Sequence, residues 1–137
     1  MEVRTILLVD DDPEDRDILL DALDTLNAKD IISFAENGEE ALALLDRYAQ
    51  VGKTPNVIIL DLNMPKMGGT QTLQQLKKDP RYKHIPVIIY STSINPLEKA
   101  ECMLIGAYSY IIKPVSFKES LDVAQYLIDL SKSASFA

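Results

Sequence analysis

Five short apolar runs, each followed by a stretch with helical spacing, decide the fold class of this chain before any other feature does. The runs are Ile6 to Val9, Ile31 to Ala35, Val57 to Leu60, Val87 to Tyr90 and Tyr110 to Ile112. They are rich in Val, Ile and Leu and nearly uninterrupted, the pattern of strands covered on both faces. The stretches between them repeat apolar residues three or four apart. Leu19, Leu23 and Leu26 follow Pro13, and Leu42, Leu45 and Ala49 follow Asn37-Gly38. Leu73 and Leu76 mark a third helix, Ala100, Met103 and Leu104 a fourth, and Phe117, Leu121, Ala124 and Ile128 a fifth. Helix starts are legible too. Asp12 before Pro13, and Asn95 before Pro96 with Glu98 beyond, read as caps followed by proline at the first helical position. Ser116 and Glu119 have capping-box spacing. Strand then helix, five times over, implies an α/β fold: one doubly wound, five-stranded parallel sheet with helices on both faces.

A chain of 137 residues fits one domain that needs no covalent staples. Residues 1–131 are expected to form it, with 132–137 a flexible tail of small polar residues and no output domain after the fifth helix. The polar stretch Tyr48 to Asn56, with Gly52 and Pro55, reads as a connecting loop. The single cysteine, Cys102, has no partner for an internal disulfide, and no apolar run is long enough to cross a membrane or serve as a leader. These point to the cytoplasm. The net charge of −7 argues against nucleic acid or a membrane surface as partner.

In an open parallel sheet the ligand site lies beyond the carboxyl ends of the strands. The first strand delivers Asp10, Asp11 and Asp12 there, and the third delivers Asp61, Leu62, Asn63, Met64 and Pro65. The fourth delivers Ser91, Thr92 and Ser93, and the fifth Lys113 before Pro114. At ~4 Å and an effective dielectric of ~20, each pair of like charges costs roughly 4 kcal/mol. Protons, the lysine or a cation must offset it. Carboxylate and carbonyl oxygens suit Mg²⁺, a carboxylate can accept a phosphoryl group, and a metal with a lysine can offset charge on the transferring oxygens. Each part also has a plain structural reading. The aspartate run could simply start a helix, Asp61 could open a turn before Gly68-Gly69, Lys113 could be a surface charge and Ser91 a strand end. Their joint arrival at the ends of separate strands favours the chemical reading.

The motifs that carry these residues resemble the receiver domain of bacterial two-component response regulators over almost the whole chain. They are Leu7 to Pro13, Ile59 to Pro65 with Gly68-Gly69, Pro86 to Ser91, and Gly106 to Pro114. The resemblance implies a flavodoxin-like sheet in the order 2-1-3-4-5, with Asp61 as phosphoacceptor. It implies Mg²⁺ held by Asp11, by Asp10 largely through water, by Asp61 and by the backbone carbonyl of Asn63. Ser91 matches the switch hydroxyl, Lys113 the lysine that pairs first with the acceptor carboxylate and then with the phosphate, and Tyr110 the aromatic whose pose reports the state. A cis Lys113-Pro114 bond is implied as well. Activity would be limited to self-phosphotransfer and autodephosphorylation, with a histidine kinase as partner and output through protein contact. Asp79 to Pro86, the Ser91-Thr92-Ser93 run and the longer loop before the third strand resemble stand-alone receivers, some of which partner phytochrome-type kinases.

Other readings stay open at this point: a phosphorelay intermediate, a receiver that only binds partners, and a homodimer through the terminal helices. A haloacid-dehalogenase-type phosphatase would need a second acid where this chain has Asn63. A flavodoxin-like electron carrier would need a hydroxyl- and glycine-rich phosphate loop where it has three aspartates. His84, beside Pro86, reads as a structural loop residue and Cys102 as a small packed side chain. Tyr108 and Tyr110 share a face by alternation, which would put Tyr108 on an interaction surface with the last two helices.

Overall fold

The computed structural model describes residues 3–64, 66–92 and 94–134. Strands and helices alternate as β1 (Ile6–Val9), α1 (Pro13–Thr25), β2 (Ile32–Ala35), α2 (Gly38–Gln50), β3 (Val57–Asp61), α3 (Gly69–Lys78), β4 (Val87–Ser91), α4 (Pro96–Ile105), β5 (Ser109–Ile112) and α5 (Phe117–Ala134). The strands form one sheet in the order β2-β1-β3-β4-β5, and every pairing is parallel. This is the doubly wound, flavodoxin-like fold expected from the sequence. β2 starts one residue later than expected because Lys29–Ile31 form a short 3-10 turn before it.

Alternation along the strands divides the core in two. Leu7, Val9, Ile58, Leu60, Val87 and Ile89 face α2, α3 and α4, where they meet Leu45, Leu73, Leu76 and Cys102. Ile6, Leu8, Val57, Ile59, Ile88 and Tyr90 face α1 and α5, where they meet Leu19, Leu23, Ala124 and Leu127. With helices on both sides the central strands β1, β3 and β4 have no wet face, so their apolar runs are uninterrupted in sequence.

The caps form as read. Asp12 accepts from Glu14 N at 2.9 Å, and Asn95 accepts from Leu97 N and Glu98 N. Ser116 Oγ accepts from Glu119 N, while Glu119 reaches back to Val115 N at 2.8 Å, one residue before the capping-box position.

Two expectations change. The apolar stripe on α4 is not its buried face: Met103 and Leu104 are exposed, and Cys102 is the helix's buried residue. The flexible tail expected from residue 132 does not begin there, since α5 continues to Ala134. Ser131 is buried; its carbonyl accepts from Asn56 Nδ2 at 3.0 Å and its hydroxyl donates to Ile128 O at 2.7 Å. The remainder of the expected tail, 135–137, lies outside the described residues, as do Pro65 and Ser93.

Candidate functional site

The strand ends converge on one rim of the sheet. Asp10 directly follows β1, with its N–H donating to Ala35 O on β2 at 3.0 Å. Asp61 and Ser91 are the last residues of β3 and β4. Lys113 follows β5, and its N–H donates to Ser91 O at 2.6 Å. Asp10, Asp61, Ser91 and Lys113 are all buried. Lys113 Nζ lies 3.0 Å from Asp10 Oδ2, 2.6 Å from Asp15 Oδ2 and 3.4 Å from Asp61 Oδ2. It also stands 5.6 Å from the centre of the Tyr90 ring. One ammonium is thus shared among three carboxylates, with a fourth, Asp11, at the mouth.

Burial dominates the electrostatics of Asp61. It pushes the carboxyl up from 3.8 to about 6, against the opposing pull of the Asn63 N–H and of Lys113, and nearby Asp10 adds to the rise. Burial acts on Lys113 in the other direction, but its pairs with Asp15 and Asp10 outweigh that loss and hold the ammonium above its ordinary range. Tyr90, beneath the lysine, is kept protonated by burial and by the Asp15 charge.

The cluster fits a hard divalent cation. Carboxylate oxygens of Asp10, Asp11 and Asp61 lie within 4.8 Å of one another. Asp10 Oδ1 accepts from Asp12 N, and Asp61 Oδ1 from Asn63 N. Asp10 Oδ2 is buried and, apart from the adjacent ammonium, accepts no hydrogen bond. A buried carboxylate oxygen in that position needs positive charge. The donors are all oxygens, as Mg²⁺ or a similar ion prefers. Above them opens a cleft of about 430 Å³ lined by Asp11, Asp12, Asp15, Asn63, Thr92 and Lys113 among others. A larger cavity of about 860 Å³ lies at the opposite end of the strands, by Lys77, His84 and Tyr108, and no acid lines it.

Sequence reasoning missed Asp15. An acid in the first turn of a helix reads as a dipole partner, yet this one turns inward to Lys113. One implied feature is corrected. The Lys113-Pro114 bond is trans, as are all peptide bonds among the described residues. Trans is the lower-energy isomer by about 0.5–1 kcal/mol, and with it Lys113 already reaches all three carboxylates. Tyr110 is buried against the α2–α4 side, in an inward pose.

Residues 6–125 match the sequence profile of the response regulator receiver domain. The chain belongs to that family. Among curated relatives, the receiver is 35% identical over 121 residues to the chemotaxis protein CheY1 of Helicobacter pylori, covering 86% of this chain and 94% of CheY1. Among solved structures it superposes on the phosphorylated cyanobacterial phytochrome response regulator RcpA with a TM-score of 0.83, at 28% identity and 96% coverage of both chains. On the Mn²⁺-bound form of response regulator Rcp1 the TM-score is 0.78, at 28% identity, covering 90% of this chain and 91% of Rcp1. The receiver is a signalling switch of two-component type, and its acidic pocket fits phosphoryl acceptance. No helix among its described residues is long and apolar enough to cross a membrane.

Proposed function

We propose that Asp61 accepts the phosphoryl group from a histidine kinase. One observation carries this reading. Asp61 is a buried carboxylate at the floor of the acidic cleft, with one oxygen fixed by Asn63 N–H and the other beside Lys113. In the transfer, a carboxylate oxygen of Asp61 forms a bond to phosphorus as the phosphohistidine N–P bond breaks. The imidazole leaves with that electron pair and takes a proton from solvent. Lys113 lies within reach of the phosphoryl oxygens and offsets their charge. Asp10, Asp11 and Asp61, with the backbone carbonyl of Asn63, would hold Mg²⁺. When bound, the ion supplies the remaining positive charge for the transferring group. Ser91, at the end of β4, is the hydroxyl that closes on the phosphoryl group, and Tyr110 is the residue that repacks.

Asn63, two residues after the acceptor, gives no second acid for turnover of phosphate esters, which separates the switch from a phosphatase. Output is by protein contact. Leu97 and Leu104 on α4, Ile112 on β5 and Phe117 on α5 are exposed apolar residues available to a target or a second copy. The donor proposed is a phytochrome-type kinase, supported by the match to RcpA over 96% of both chains. The compartment proposed is the cytoplasm, in keeping with the free buried thiol of Cys102.

Labelling by acetyl phosphate with Mg²⁺ tests the site. The parent protein takes up one phosphoryl group and Asp61→Asn takes up none. Lys113→Ala keeps the Mg²⁺-induced amide shifts of Asp11 and Asn63 but labels roughly 10²-fold more slowly. Labelling that survives Asp61→Asn refutes the assignment.

A further inference from the structure

We infer that Asp15 is a positioning residue that sets where the site's ammonium rests, holding Lys113 toward α1 until a phosphoryl group on Asp61 draws it away. The inference rests on Asp61 being the acceptor. The three carboxylates around Lys113 Nζ are not equivalent. The bond to Asp15 is the shortest, 2.6 Å, and that to Asp61 the longest, 3.4 Å. Charge-assisted N–H···O bonds cluster near 2.7–2.9 Å, so the resting lysine belongs to Asp15 more than to the acceptor.

Burial decides which partner can be given up. The Asp10 side chain is 0% exposed, whereas that of Asp15 is 22% exposed. Asp10 is fully enclosed, so water cannot take the place of the ammonium beside its Oδ2. Asp15 sits in the first turn of α1 at the rim of the cleft, where water can replace the lysine. A phosphoryl group adds up to about two negative charges and three acceptor oxygens on the Asp61 side. Lys113 therefore pivots about Asp10, leaving Asp15 for the phosphoryl oxygens. Asp15 competes with the phosphorylated state and keeps the resting switch off.

The test compares Asp15→Asn with Asp12→Asn. Asp12 lines the same cleft, and asparagine replaces it as a helix cap at little cost. Both variants remove one negative charge near the incoming phosphate, so a general charge effect lowers the half-saturating acetyl phosphate concentration in both. Release of Lys113 is specific to Asp15→Asn. Its labelling rate at saturating acetyl phosphate should rise roughly tenfold over the parent, as for removal of a charge-assisted hydrogen bond from the resting state. Asp15→Glu, which restores a carboxylate, should return the rate toward that of the parent. In metal-free protein the Lys113 Cε and Hε resonances should move in Asp15→Asn and stay in place in Asp12→Asn. Equal saturating rates in the two variants, a slower Asp15→Asn, or unmoved Lys113 resonances overturn the inference. Labelling of Asp61→Asn in parallel would instead overturn the acceptor assignment beneath it.

Discussion

Asp61→Asn should stabilise the metal-free protein by about 3 kcal/mol near neutral pH, although it takes up no label when Mg²⁺ is supplied. The stabilisation follows from the raised carboxyl. Its shift from 3.8 to about 6 is roughly two units, and each unit is about 1.4 kcal/mol of penalty on the charged form. Asparagine approximates the protonated carboxyl in shape and removes that penalty. The sign fixes the pH window. Below 3.8 the group is protonated in both folded and unfolded chains, and the variant gains nothing. Between 3.8 and about 6 the unfolded chain gives up its proton first, so the parent loses stability as pH rises and the gap opens. Above that the gap is constant. For a domain of this size about 3 kcal/mol corresponds to roughly 10 °C in melting temperature. Thermal or urea denaturation with chelator present, repeated across that pH range, measures it. Added Mg²⁺ should narrow the gap, because an ion bound to the folded site stabilises the parent by mass action. A variant that melts with or below the parent at neutral pH would show that Asp61 carries no such penalty.

The residues that produce this strain were legible in the sequence for a topological reason. Asp10, Asp61, Ser91 and Lys113 lie far apart in the chain, but each falls at or just past the end of a strand, and a parallel sheet gathers strand ends on one rim. The three central strands were legible because they are buried on both faces and leave no polar interruption. Asp15 was hidden because its role depends on a side chain 98 residues away. Local grammar accounts fully for an acid in a first helical turn, so nothing at that position asks for a distant partner. The α4 stripe failed for a related reason. Spacing shows that Ala100, Met103 and Leu104 share a face, but not whether anything covers it, and there the helix packs through Cys102 instead. The end of α5 was misread because small polar residues at a chain end usually fray. Asn56, from the loop before β3, anchors it by a bond that no local pattern announces.

Gly69→Ala should cost about 3 kcal/mol of stability, while Gly68→Ala, one residue earlier, should cost no more than ~0.5 kcal/mol. The two glycines stand at the start of α3, and what separates them is the space each has. A Cβ on Gly69 would lie 2.4 Å from Asp61 O and 2.6 Å from Leu62 Cα. Both contacts are backbone, so no side chain can swing aside. The strand end cannot retreat either, because β3 lies between β1 and β4, with Leu60 in register with Val9 and Asp61 with Tyr90. The helix must move instead, which strains the bond from Gly69 N to Leu62 O at 3.0 Å. On Gly68 the nearest atom to a Cβ is Leu62 O at 3.6 Å, an ordinary contact, and its φ of −64° suits any residue. Urea denaturation separates the two variants in stability. Labelling by acetyl phosphate at saturating Mg²⁺ then asks whether the clash reaches the chemistry. A displacement of about 1 Å at a reacting group can cost ~10²-fold in rate, and the colliding oxygen is the acceptor's own carbonyl. Gly69→Ala should therefore label far more slowly than Gly68→Ala even where both are fully folded. Equal rates and equal stabilities would mean that the close approach of α3 does not hold Asp61 in place.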